Sequence, residues 1–271
     1  MVAVWVLASC ATTQRTMFAP PAIPGASFIG SEECAQCHGE LDSRIATGAD
    51  APHFPFKPNV AKGYLKAQKG ITSQFKGSAH GAIQIRGDNP LNVGCESCHG
   101  PGSKHSEAGG GVGNIINPKK SPEVCFQCHL EKQGQFHLPT HHQVLEGRVN
   151  CSDCHPPHQG VVQRMTGPTL SAESQACIKC HPRQRGPFVF EHEALREGCV
   201  TCHDPHGSVN SKLLKQRNAN LCLKCHFQQR TGNAIIIGGL DHTGFLYRGT
   251  CWSAGCHEAV HGSQVNRSLR F

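Results

Sequence analysis

The sequence predicts a mostly α-helical and irregular fold with little strand. Three observations carry that expectation. A short cysteine–histidine motif recurs, and after a first gap of 61 residues its successive histidines stand only 22–31 residues apart. Each interval has room for one short helix and a loop. The chain is rich in turn formers, with 30 Gly and 17 Pro in 271 residues, and poor in aromatics at 6%. A chain of this length could bury a large apolar core, yet long amphipathic stripes are missing. Something other than side chains must fill the interior.

The elements follow in order. Residues 1–30 carry no motif and hold Pro20, Pro21 and Pro24, so they read as an N-terminal arm. The first motif, Cys34-x-x-Cys37-His38, is followed by a motif-free stretch in which residues 60–69 read as a helix. Cys95-x-x-Cys98-His99 comes next, and the glycine-rich run 109–113 then forms a loop. From residue 121 the array is dense: Cys125-x-x-Cys128-His129, Cys151-x-x-Cys154-His155, Cys177-x-x-Cys180-His181, Cys199-x-x-Cys202-His203 and Cys222-x-x-Cys225-His226. Residues 171–180 read as a helix leading into one of these motifs. Residues 234–237, Ala-Ile-Ile-Ile, give the clearest strand signal. An eighth motif is stretched, with Trp252-Ser253-Ala254-Gly255 between Cys251 and Cys256 before His257. The organisation is a haem-free segment 1–30, a two-motif region 31–120 and a six-motif array 121–271.

Cys-x-x-Cys-His is the attachment pattern of c-type haem. Two cysteines form thioethers to one porphyrin and the adjacent histidine reaches its iron. A zinc ribbon would not require a histidine after every second cysteine, and a disulfide framework would not repeat one spacing seven times. The expected cofactor is eight covalently attached haem c groups, in a staggered chain that forms the core. In the stretched motif the porphyrin fixes both sulfur positions, so the additional residues must bulge outward. Sixteen of the 17 cysteines belong to motifs; Cys10 is left over, and no disulfide is expected.

Eight of the 19 histidines are proximal ligands, leaving eleven. The candidate distal ligands are His80, His105, His142, His158, His192, His206, His242 and His261. His142, His192 and His242 stand seven to nine residues before the next motif. His158 and His206 follow a proximal histidine by three residues, each after a proline. A histidine that close cannot easily reach the far face of its own porphyrin, so it should serve a neighbour. His137 and His141 compete with His142, and His53 competes with His80.

The formal charge of +7 is not a nucleic-acid signature, because no aromatic-basic interleaving or nucleic-acid motif accompanies it. Eight haems would add about 16 propionate charges, giving about −1 oxidised and about −9 reduced. Covalent haem attachment in bacteria takes place outside the cytoplasmic membrane. Leu7-Ala8-Ser9-Cys10 matches a lipoprotein cleavage box, although no basic residue precedes its short apolar run. No segment reaches transmembrane length.

The stretches 95–105, 142–155 and 199–208 resemble the paired-motif multihaem cytochromes, whose best-known members are decahaem periplasmic proteins that plug outer-membrane porins. The resemblance covers roughly residues 30–260 and departs in motif count and in the stretched last motif. Related haem packing occurs in cytochromes that polymerise into extracellular filaments. The resemblance implies bis-histidine haems, electron transfer out of the cell, and as partners other multihaem cytochromes, an outer-membrane porin or copies of the chain itself. Localisation would be the periplasm, the outer membrane or an extracellular filament. The alternative is a multihaem reductase for a small N- or S-oxyanion. Such enzymes often carry a lysine as proximal ligand or a tyrosine cross-link; no Cys-x-x-Cys-Lys occurs here, and Tyr64 and Tyr247 have no special context.

Overall fold

The computed structural model describes residues 22–38, 75–76, 78–83, 93–158, 174–217, 219–246, 251–252 and 255–271. Cys10, His53, the expected helix 60–69 and both tyrosines lie outside them.

Among the described residues the helices are short because each is little more than the turn that carries a motif. They are α1 Ser31–His38, α2 Cys95–His99, α3 Ser103–Glu107, α4 Glu123–Phe126, α5 Leu130–Phe136, α6 Cys151–Cys154, α7 Ser174–Ile178 and α8 Ala219–Cys222. The sixth motif starts on a 3-10 turn, Cys199–Thr201. The expected helix over 171–180 is seen as α7, within its bounds. Glycines 109–111 adopt positive φ and form the loop after α3.

Hydrogen bonds from polar side chains fix how neighbouring turns meet. The Ser31 hydroxyl accepts from the Cys95 N–H at 3.1 Å, so a residue of α1 caps α2. Ser174 of α7 accepts from the Cys199 N–H at 3.2 Å in the same way. Both serines stand three residues before a motif cysteine. Glu96, buried between its two motif cysteines, accepts from Ile29 at 3.0 Å, Gly30 at 2.8 Å and Gly102 at 2.8 Å. That carboxylate ties the chain entering α1 to the chain leaving α2.

Strand is confined to five short pieces. β1 Phe190–Glu191 pairs antiparallel with β5 Gly262–Ser263, placing Glu191 opposite Gly262. β2 Gln228–Thr231, β3 Ala234–Ile237 and β4 Leu240–Asp241 form a three-stranded antiparallel sheet in that order. β3 is the strand expected at 234–237. Isolated bridges join Thr140 to Ser208 and His203 to Leu214.

The side-chain core is small. Buried apolar residues are Val124, Phe126, Phe136, Val144 and Ala259. Phe126, Phe136 and Val144 form one cluster, with Val149 and Cys151 against it. Such a cluster cannot organise the remaining motifs.

Candidate haem-binding sites

Each motif is built on one helical turn. The backbone N–H groups of His129, His155, His181, His203 and His226 donate to the carbonyls of Cys125, Cys151, Cys177, Cys199 and Cys222 at 2.8–3.0 Å. The turn fixes the first sulfur relative to the imidazole. The stretched motif keeps this bond, for His257 N–H donates to the Cys251 carbonyl at 3.0 Å despite the longer loop.

The eight motif histidines do not pair with one another. Each faces one of the eight candidate distal histidines. The pairs are His38–His105 at 6.1 Å between ring centres, His99–His158 at 5.9 Å, His129–His80 at 6.1 Å and His155–His206 at 5.9 Å. The others are His181–His142 at 6.2 Å, His203–His261 at 6.2 Å, His226–His192 at 6.0 Å and His257–His242 at 6.4 Å. Direct stacking would bring rings closer than this. A metal–imidazole bond of about 2.0–2.1 Å on each side, with about 1.1 Å from nitrogen to ring centre, gives about 6.2–6.4 Å across one metal ion. The residues therefore fit an iron held between two imidazoles beside two cysteine sulfurs. The Trp252 indole N–H, next to Cys251, is buried with no acceptor from the chain, which suits a group bearing carboxylates.

The pairing obeys a two-motif rule. A leading histidine precedes each even-numbered motif and serves the following odd one: His80 faces His129, His142 faces His181, and His192 faces His226. A trailing histidine follows each even motif and reaches back two motifs: His158 faces His99, His206 faces His155, and His261 faces His203. At the two ends the rule folds onto itself, with His105 facing His38 and His242 facing His257. His158 and His206 thus stand opposite histidines other than the one three residues before them. The pairs His80–His129 and His99–His158 also stitch region 31–120 to region 121–271.

Short ladders align the histidines. The β1–β5 pairing ends beside His192 and His261. The Thr140–Ser208 bridge does the same for His142 and His206. In both places a glycine follows the trailing histidine and permits close approach. A Cβ on Gly207 would lie 1.9 Å from the Gln135 carbonyl oxygen, and one on Gly262 would lie 2.3 Å from the Phe188 ring. Gly81, after His80, is equally tight at 1.9 Å from the Phe75 carbonyl oxygen.

Backbone carbonyls orient several rings. Nδ1 of His99 lies 3.1 Å from the Ile116 oxygen, that of His203 2.8 Å from Lys212, and that of His257 2.7 Å from Ser268. On the distal side, His105 faces the Gly111 oxygen at 3.1 Å, His142 faces Pro205 at 2.6 Å, and His242 faces Leu240 at 2.9 Å. A carbonyl only accepts, so Nδ1 carries the proton and Nε2 keeps its lone pair for a metal. Burial pushes the proton affinity of His38, His158, His192, His206 and His261 below the ordinary imidazole value, which also favours the ligating form. His141 is engaged at both nitrogens, with the Leu138 oxygen at 2.6 Å and Glu146 at 3.1 Å. His137 is exposed at the end of α5.

The sulfurs give the order of the sites. Cys34 shares a thiol hydrogen bond with Cys95, Cys125 with Cys151, and Cys177 with Cys199, the first thiol of each pair holding the proton and its affinity raised. Burial and the neighbouring Cys251 raise Cys222 to about 12. Second cysteines provide the alternate links: Cys98 senses Cys128, Cys154 senses Cys180, and Cys202 senses Cys225. First-to-first and second-to-second contacts alternate, so motif order in space follows motif order in sequence.

The glycines after His80, His206 and His261, and the carbonyls that receive Nδ1–H, were not anticipated from the sequence. The His-Gly dipeptides were visible in it; a carbonyl acceptor carries no side-chain signal.

A family described as a doubled CXXCH motif matches residues 141–186 and 192–231. Each matched segment holds a leading histidine, two motifs and the trailing histidine between them, which is the period of the ring pairing. The chain belongs to the paired-motif multihaem c-type cytochromes, a class that carries covalent haem c and transfers electrons through it. Among curated proteins it is similar to the multiheme cytochrome MtrA of Shewanella baltica (strain OS185), 29% identical over 203 residues, covering 72% of this chain and 59% of that protein. It is also similar to the C-type polyheme cytochrome OmcB of Geobacter sulfurreducens, in strains DL-1/KN400 and ATCC 51573, 23% identical over 266 residues, covering 88% of this chain and 31% of that protein. The chain thus spans less than two thirds of the length of either relative. Among the described residues, no helix is long and apolar enough to cross a membrane.

Proposed function

We propose that this protein is an octahaem electron conductor, binding one haem c at each motif and carrying electrons out of the cell. When bound, haem supplies a reversible one-electron iron couple whose potential follows its ligands, burial and hydrogen bonds. The observation that supports the reading is the set of eight imidazole pairs at 5.9–6.4 Å, each beside its own cysteine pair. Two imidazoles at every site leave no open coordination position for a substrate, which argues for a conductor and against the oxyanion reductase. Carbonyl acceptors hold the rings in the ligating tautomer. The alternating sulfur contacts keep consecutive sites adjacent, and the trailing histidines lock each two-motif unit to the one before it.

The partners are other multihaem cytochromes, together with either an outer-membrane porin or further copies of the chain. The location is outside the cytoplasmic membrane. All eight pairs form within one chain, so no ligand from a second copy is required; this supports an envelope conduit over a filament with shared ligands. Absorption and electron paramagnetic resonance spectra of the holoprotein test the conductor reading. Low-spin iron in both redox states is expected, and a resting high-spin fraction of one site or more would favour the reductase. Electron micrographs of the secreted fraction distinguish conduit from filament.

A further inference from the structure

The turn Ser211–Leu213 after the sixth motif has an unusual backbone. Lys212 and Leu213 both take left-handed conformations, with φ of 57° and 58°. Bulky residues rarely sit there, and two in succession persist only where surrounding contacts over-determine them. Those contacts are visible. The Lys212 carbonyl accepts from His203 Nδ1–H at 2.8 Å, and the Leu213 carbonyl accepts from the Asp204 N–H at 2.7 Å. Lys215 N–H donates to the Cys202 carbonyl at 2.9 Å, and the Ser208 hydroxyl donates to Leu214 at 2.6 Å. The turn therefore wraps the sixth site and grips its proximal histidine.

The left-handed conformation also directs the Lys212 side chain across to the eighth motif. Its ammonium lies 3.9 Å from the centre of the Trp252 ring, in cation–π geometry, beside Cys251. One residue thus touches two sites that are not neighbours in the series. Its charge is felt at the sixth site: His261 is held below its ordinary proton affinity by burial first, then by His203 and His192, and then by Lys212.

We propose that Lys212 is a positioning residue that raises the reduction potential of the sixth site and fastens that site to the Trp252 loop of the eighth. A fixed positive charge favours the iron state of lower positive charge, the reduced one. The Trp252 ring holds the ammonium in place instead of leaving it free in solvent. This inference rests on the haem reading of Cys199, Cys202, His203 and His261.

The test uses the full holoprotein and three variants. Lys212→Met removes the charge and keeps the carbonyl. Lys212→Gly also removes it, and glycine adopts the positive φ without strain, so folding is preserved. Lys212→Arg keeps both the charge and the ring contact. Intact mass confirms an unchanged haem complement in each. Spectroelectrochemical titration follows the sixth-site component, recognised as the one that Cys199→Ser/Cys202→Ser loses. At a fixed electrode potential, Lys212→Met and Lys212→Gly should shift that component about threefold toward the oxidised form, equal to about 28 mV at 59 mV per tenfold. Lys212→Arg should leave it in place. An unmoved component in Lys212→Met, or an equal shift in Lys212→Arg, overturns the role of the lysine alone. An unmutated protein with no covalent group on Cys199 and Cys202 overturns the site reading, and this inference with it.

Discussion

Replacing His206 by alanine should damage the site of His155 and spare the site of His203. His206 is only three residues from His203 in sequence, yet its ring lies 5.9 Å from that of His155. It is held there by an edge-to-face contact with the buried Phe136 at 5.6 Å. Truncation removes one of eight imidazole pairs, so about one eighth of the low-spin iron signal should convert to high-spin. Loss of the Phe136 contact should cost about 0.5–1.5 kcal/mol of stability in addition. Location is established by a double-mutant cycle. In a Cys151→Ser/Cys154→Ser background, His206→Ala should change the spectrum no further. In a Cys199→Ser/Cys202→Ser background, it should keep its full effect. Free imidazole added to His206→Gly should restore the low-spin spectrum. If the two backgrounds gave the reverse pattern, the cross-unit pairing would be wrong, and with it the account of what joins successive units.

Other expected outcomes test separate parts of the architecture. Gly207→Ala places a methyl group 1.9 Å from the Gln135 carbonyl oxygen, so the 206–208 segment must retreat, at a cost of about 1–3 kcal/mol. The sites of His155 and His181 should lose ligand order together, because the Pro205 carbonyl also orients His142; calorimetry and spin state would show it. Glu96→Ala strands the N–H groups of Ile29, Gly30 and Gly102, and a local loss of about 2 kcal/mol would speed amide exchange at Ile29 and Gly30 about 30-fold. His141→Gln should leave the spectrum intact, since both ring nitrogens already have partners, whereas His142→Gln should create one high-spin site. The lowered proton affinities of His38, His158, His192, His206 and His261 make their stabilisation complete above the unfolded imidazole value of about 6.5 and lost as pH falls below it. High-spin iron should therefore grow on the acid side only, followed by absorbance between about pH 7 and pH 4.

The site was more legible in the sequence than the fold. Cysteine spacing marks every attachment point, because a helical turn brings two sulfurs and a histidine together through contacts that are local in sequence. The leading and trailing histidines were recognisable from their fixed offsets to the motifs. Which histidine faces which was not, because the pairing His99–His158 spans 59 positions and depends on how two-motif units stack. Strand β3 was readable from its run of branched residues. The β1–β5 and Thr140–Ser208 ladders were not, since one or two residue pairs leave no alternation to detect. Lys212 was likewise hidden: its backbone conformation is imposed by the sixth motif, and nothing in Ser-Lys-Leu-Leu announces a left-handed turn.

The claim on which the rest depends is that all eight motifs, including the stretched one, carry haem. Intact mass of the purified holoprotein tests it most directly. The account predicts eight covalent additions of about 0.6 kDa each, with Cys251 and Cys256 both modified in the peptide map. Seven additions with free thiols at Cys251 and Cys256 would contradict it and would leave His242 and His257 facing each other for another reason.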